Sequence, residues 1–191
     1  HFRHDPQNQG SLSDNRVWDL CLDKNNNIWV ATSRGINRYQ PETNSFLKFS
    51  QLSGNEQISW IEFDSKGNLW AGSLEEIIVF NQEENIINRF SEYSRSMYED
   101  SKNRIWIATL DKGIALYNAT SGPLKYYNET DGLANNQALC ILEDQNNHLW
   151  ISTTNGLSKF NTGKEIFQNY TNKDGLSNNQ FCYGAACKTS S

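Results

Sequence analysis

The stretch Asp23-Lys24-Asn25-Asn26-Asn27-Ile28-Trp29-Val30-Ala31-Thr32 decides the fold, because the chain writes it four times. The other copies run from Asp64 to Ser73, from Asp100 to Thr109 and from Asp144 to Thr153. In every copy the Asp stands six residues before a Trp: Trp29, Trp70, Trp106 and Trp150. An aliphatic residue precedes each Trp. A small residue (Ala31, Gly72, Ala108, Ser152) follows two positions later, and a hydroxyl residue three positions later. The Trp-to-Trp steps are 41, 36 and 44 residues. A period in this range is the signature of a solenoid, propeller or array.

Around each copy the same frame recurs. In the first, Val17, Leu20 and Leu22 read as a short strand, and Asp23 to Asn27 as a hairpin turn in which the Asp side chain bonds the backbone two residues on. Ile28 to Thr32 is a second strand, Ser33-Arg34-Gly35 a turn, Ile36 to Tyr39 a third strand and Phe46 to Phe49 a fourth. Short strands separated by turn residues predict an antiparallel meander. The units span about 17–49, 58–90, 94–127 and 138–170. Each closes with aromatics ten residues apart, as in Tyr39/Phe49 and Phe160/Tyr170. The second unit carries Glu76 where the first has Gly35, which puts a glycine-dependent turn in doubt there. Two linkers match closely: Asp131-Gly132-Leu133-Ala134-Asn135-Asn136-Gln137 and Asp174-Gly175-Leu176-Ser177-Asn178-Asn179-Gln180. Partial strands are expected near residues 1–3 and 181–187.

Four strands in about 40 residues is the period of a propeller blade. Residues i and i+2 share a face of a strand, so the small residue beside each Trp leaves room for a neighbouring sheet to approach. The expected architecture is an all-β propeller segment over 1–191, with four complete four-stranded antiparallel blades and a partial blade at each end. The incomplete ends are expected to make it a slice of a larger ring. The four Trp residues are assigned to the repeat core.

Bulk composition narrows the function. The net charge is −5 and Lys and Arg do not cluster, which argues against nucleic acid or an anionic membrane as partner. No apolar run approaches the length of a membrane helix. Aromatics at 12% exclude a disordered chain. Cys21, Cys140, Cys182 and Cys187 form no metal-type pair, so they read as free thiols and no zinc site is expected. The run Asp23, Asn25, Asn27 invites a calcium reading. An EF-hand loop needs Gly at its sixth position and an acid at its twelfth, and here those are Ile28 and Arg34. No catalytic residue, metal or cofactor is assigned. His148 reads as a solvated turn residue.

The units resemble the two-component regulator propeller repeat, most clearly in Trp29-Val30-Ala31-Thr32-Ser33-Arg34-Gly35-Ile36 and Trp150-Ile151-Ser152-Thr153-Thr154-Asn155-Gly156-Leu157. The resemblance implies the periplasmic, ligand-sensing part of a hybrid two-component histidine kinase of Bacteroidetes-type bacteria. In that arrangement two seven-bladed propellers precede a β-sandwich, a membrane helix and the kinase. Many such sensors detect oligosaccharides, and a homodimer is implied for the full-length sensor. Within the repeat, the turns after the second strands and the linkers between units share one face and vary between units. They supply the candidate ligand-binding residues Arg34, Arg95, Lys112, Asn136 and Asn155. The alternatives are a streptogramin-lyase-like propeller enzyme and a non-catalytic interaction scaffold.

Overall fold

The computed structural model describes residues 1–49, 51–52 and 56–187. Among these residues sixteen strands form four separate four-stranded sheets, each an antiparallel meander in chain order. The first sheet holds β1 (Val17–Leu22), β2 (Ile28–Thr32), β3 (Gly35–Gln40) and β4 (Ser45–Lys48). The second holds β5 (Ile58–Phe63), β6 (Leu69–Ser73), β7 (Ile77–Phe80) and β8 (Ile86–Phe90). The third holds β9 (Ser94–Glu99), β10 (Ile105–Thr109), β11 (Ile114–Asn118) and β12 (Gly122–Tyr127). The fourth holds β13 (Ala138–Glu143), β14 (His148–Thr153), β15 (Gly156–Asn161) and β16 (Ile166–Tyr170). These are the four blades of a propeller-type fold. The chain divides into two compact units, His1–Glu92 and Tyr93–Ser191, with two blades in each.

The repeated Asp is a hook. Its Oδ2 accepts the indole N–H of the Trp six residues on: Asp23 from Trp29 at 3.2 Å, Asp64 from Trp70 at 3.0 Å, Asp100 from Trp106 at 2.8 Å and Asp144 from Trp150 at 3.0 Å. Its Oδ1 accepts the backbone N–H four residues on, from Asn27, Asn68, Arg104 and His148. One carboxylate thus closes the hairpin turn and fixes the ring of the strand that follows. The turn needs one left-handed residue, supplied by Asn26, Gly67, Asn103 and Asn147 with φ of 63°, 81°, 58° and 60°. Asn and Gly are the residues that adopt this conformation at least cost. These hydrogen bonds also occupy the Asp23 oxygens that a calcium reading would require, since Asn25 N–H and Asn27 Nδ2 donate to them as well.

In the first unit the hooked Trp29 faces the second blade. It lies edge-on between Phe49 and Phe63, each 5.5 Å away, and Phe49 packs on Phe80 at 4.8 Å. Cys21, Ala31, Ile36, Ile58, Ile61, Leu69, Ala71 and Ile78 complete this core. In the second unit Trp106 faces the fourth blade, meeting Phe160 at 6.0 Å, and Ile141, Leu149 and Ile151 complete the layer. The two units therefore repeat one packing rule. The Trp face of a blade seats on the first two strands of the next.

Polar staples cross the same seams. Asp19 Oδ2 accepts Ile61 N–H at 3.0 Å and Arg38 pairs with Glu84 at 3.1 Å in the first unit. In the second, Ser101 donates its N–H and Oγ–H to the Glu143 carboxylate, and Arg104 donates to Thr162 Oγ1 at 2.9 Å.

Several sequence expectations need correction. Residues 1–3 and 181–187 form no strand; a strand requires a ladder partner, and among the described residues neither segment has one. Phe2 instead rests on Tyr39 and Phe46. Trp29, Trp70 and Trp106 are buried, but Trp150 is only half-buried. Tyr170 stacks on it at 5.5 Å and Lys159 lies 5.3 Å over its ring, and no further blade among the described residues covers it. His148 begins β14 and is partly buried rather than solvated.

The small residue after each Trp serves a nearer neighbour than expected in the second blade. Gly72 pairs with Trp60 across β5 and β6, and a Cβ on Gly72 would fall inside the Trp60 indole. The space is filled within the sheet itself. Glu76, in the place of Gly35, keeps a negative φ, and the turn closes through Ser73 N–H to Glu76 O.

Two expectations follow. Asp100→Ala removes an acceptor that serves Trp106, Arg104 and two backbone amides, and should cost about 2–3 kcal/mol in the urea midpoint. Gly72→Ala should cost about 1–3 kcal/mol from overpacking. In a Trp60→Ala background that cost should largely vanish, as a double-mutant cycle would show.

Acid should reveal the hook at Asp144. Partial burial opposes its ionisation, but hydrogen bonds from His148 N–H, the Trp150 indole and Asn146 N–H outweigh this and lower its pKa to about 2. Asp23 and Asp100 are lowered for the same kind of reason. A depressed folded-state pKa contributes stability above the ordinary value near 3.8, lost as pH falls through the folded value. Wild type and Asp144→Asn should therefore differ most in denaturation midpoint above pH 4 and converge as pH approaches 2.

Candidate functional site

In the first, third and fourth blades the turn after the second strand and the linker into the same blade lie side by side. Ser33 N–H donates to Arg16 O, Leu110 N–H to Tyr93 O and Thr154 N–H to Gln137 O. The variable residues of those blades thus gather at one end, away from the Asp–Trp turns at the other.

The two matching linkers use one construction. Asn128 and Thr171 each cap a short 3-10 turn, answered by Asp131 and Asp174. Gly132 and Gly175 close these turns at φ of 106° and 101°. The second Asn of each Asn-Asn pair then clamps the loop: Asn136 Oδ1 accepts Glu129 N–H at 2.8 Å, and Asn179 Oδ1 accepts Asn172 N–H at 2.6 Å. The carbonyls of Asn136 and Asn179 accept from Gly113 and Gly156 in the turns of the third and fourth blades. Asn136, expected as a ligand contact, thus has its side-chain oxygen engaged in holding its own linker.

The other candidates are placed as follows. In the first unit Arg34 is exposed and sits 3.8 Å from Asp14. In the second unit Lys112 is exposed, with its ammonium 5.5 Å over Tyr126. Asn155 is exposed, and its backbone N–H donates to Thr153 Oγ1. Arg95 is half-buried. Its guanidinium lies 5.5 Å over Tyr183, and its Nε is buried without a hydrogen-bond partner.

Arg95 belongs to a positional set that the repeat pattern did not expose. The first strand of every blade carries a register shift just inside its start, at Val17/Asp19, Ile58/Trp60, Ser94/Ser96 and Ala138/Cys140. A bulge frees one residue from the ladder and re-aims its side chain. The four residues so placed are Trp18, Ser59, Arg95 and Leu139. Ser59 Oγ bonds Gly72 O and Leu139 is buried, whereas Trp18 is 38% exposed. The signal lay in the sequence as variation at one position of an otherwise constant frame, but the bulge that singles it out is a property of the ladder.

Among the described residues no three His, Cys, Asp or Glu side chains gather as a metal-holding group. The His148 ring lies within 3.3 Å of Asn161 Nδ2 and of Asp144 Oδ1. Among the described residues no helix is long and apolar enough to cross a membrane.

The family model for the two component regulator propeller matches residues 11–34, 88–111 and 132–155, and each match contains one Asp–Trp hook. The chain carries two-component regulator propeller repeats. The second blade lies largely outside the matched stretches, and it is the blade with the Trp60/Gly72 exchange and Glu76. Over 177 residues the chain is 25% identical to histidine kinase P4 of Formosa agariphila, covering 93% of this chain and 11% of that relative. It is also similar to the extracellular domain of a hybrid two-component system of B. thetaiotaomicron, with a TM-score of 0.77 and 25% identity, over 94% of this chain and 25% of that one. Virginiamycin B lyase of Staphylococcus aureus superposes with a TM-score of 0.66 at 12% identity, over 81% of this chain and 55% of that one. That last likeness is one of fold. The chain spans about a tenth of the curated relative and a quarter of the extracellular domain.

The clamp is testable without a ligand. Asn136→Ala should cost about 1 kcal/mol, as loss of a capping side chain does, and should speed amide exchange at Glu129 more than at strand residues such as Ile151.

Proposed function

We propose that these repeats form part of the periplasmic sensor of a hybrid two-component histidine kinase, which detects an oligosaccharide and controls genes for polysaccharide use. The similarity to the hybrid-system extracellular domain, at 25% identity over 94% of this chain, carries the reading. The arrangement of the chain supports it. Within each blade a hooked tryptophan fixes the strands and leaves the variable turn at the other end, and across the blades those turns supply guanidinium, ammonium and amide groups suited to hydroxyl-rich ligands. The full-length sensor works as a homodimer in this reading, and its output comes from a kinase elsewhere in the protein. No side-chain grouping described above favours lyase chemistry.

The test is a reporter fused to genes controlled by the intact protein. One class of polysaccharide should raise expression, and deletion of the propeller region should abolish the response. A reporter that ignores every saccharide offered, while the protein is present and folded, would overturn the reading.

A further inference from the structure

The third blade holds a guanidinium with nothing to neutralise it. Arg95 lies at the register shift between Ser94 and Ser96 in β9 and is half-buried. Its Nε is buried without a hydrogen-bond partner, and so is Oγ of the next residue, Ser96. Arg34, Arg38, Arg89 and Arg104 each stand against a carboxylate. Arg95 meets none among the described residues; the group nearest its charge is the ring face of Tyr183, 5.5 Å away. β9 has a complete blade before it and another after it in the chain, and it packs beside β13 of its own unit. The carboxylates of this pair of strands and their turns are already engaged at the opposite end. Asp100 accepts from Trp106 and Arg104, and Glu143 accepts from Ser101.

We infer that the bulge of β9 is an oxyanion site, where Arg95 receives a carboxylate or sulfate of the sensed saccharide. This rests on the sensor reading above and narrows its ligand to acidic sugars. A charge drawn partly out of water with an unpaired N–H is costly to hold. An incoming oxyanion supplies both the missing charge and the missing acceptor. A guanidinium grips a carboxylate or sulfate through paired N–H donors, which a neutral sugar cannot match with charge. The Ser96 hydroxyl, one residue on, is a second unspent donor. The bulge itself recurs in every blade, but its residue in the other three is Trp18, Ser59 or Leu139, all uncharged. Among the four described blades the site therefore belongs to the third.

The experiment is calorimetric titration of the protein with trigalacturonate, galactose 6-sulfate and maltotriose, paired with urea unfolding in the absence of sugar. Trigalacturonate or the sulfated sugar should bind, the bound one naming the anion, and maltotriose should bind at least about tenfold more weakly. Arg95→Gln should weaken acidic-sugar binding about tenfold or more. Arg95→Lys, which keeps the charge but not the paired donors, should fall between the two. Arg89→Gln, which breaks an ion pair in the second blade, should leave binding unchanged. Without sugar, Arg95→Gln should leave the urea midpoint level or raise it, because it removes a charge that has no partner. A lowered midpoint would make Arg95 a structural residue and end the proposal. Acidic-sugar binding that survives Arg95→Gln, equal binding of maltotriose, or no binding of any probe would end it too. If the reporter still answers a polysaccharide in those cases, the sensor reading stands and only the site falls; a silent reporter removes the reading itself.

Discussion

Each blade depends on a single carboxylate that does two jobs. A tight hairpin leaves backbone N–H groups pointing inward, and a Trp in a sheet interior carries one donor that must be satisfied. The Asp at the first turn position answers both, Oδ1 taking the turn amide and Oδ2 the indole. This explains the constant six-residue separation. A shift of one residue would carry the Trp to the other face of the strand, out of reach of the carboxylate and away from the neighbouring blade.

The hook matters because the rest of each unit is built against the ring it positions. Trp29 sits among Phe49, Phe63 and the second blade's apolar strands, and Trp106 meets Phe160 in the same way. Cations lie over these rings: Arg38 over Trp29, Arg104 over Trp106 and Lys159 over Trp150. Arg38 then reaches Glu84 and Arg104 reaches Thr162, so the same side chains that cover the indole also bind one blade to the next. With this frame set by buried contacts, many residues at the opposite end, such as Arg34 and Asn155, stay exposed. Within this chain the Asp–Trp framework recurs in all four units while the turns at that end differ.

Some of those turn residues nonetheless have structural work. Asn136 looked like one more polar group on a variable surface, yet its side chain and carbonyl hold the linker and the neighbouring turn together. Asn179 repeats the arrangement in the next linker. Trp18 is the converse case. Its indole is partly exposed and is held by a hydrogen bond to Ser33 Oγ, while the same bulge position holds the buried Ser59 and Leu139 in other blades.

The period of about 40 residues, the Asp–Trp spacing and the four-strand frame were all legible in the chain, because each expresses a local rule: alternation along a strand, turn chemistry, and a fixed reach from carboxylate to indole. The all-β blades follow from these alone. The tertiary structure decided what depends on neighbours distant in sequence. It showed that Trp60 fills the space beside Gly72, that Trp150 is half-buried where Trp106 is not, that residues 1–3 and 181–187 form no strand, and that Trp18 and Arg95 occupy the same bulge position in two different blades. Local pattern specifies which face a side chain takes. Whether another sheet, a ring from the adjacent strand or solvent meets that face is settled only when the blades pack.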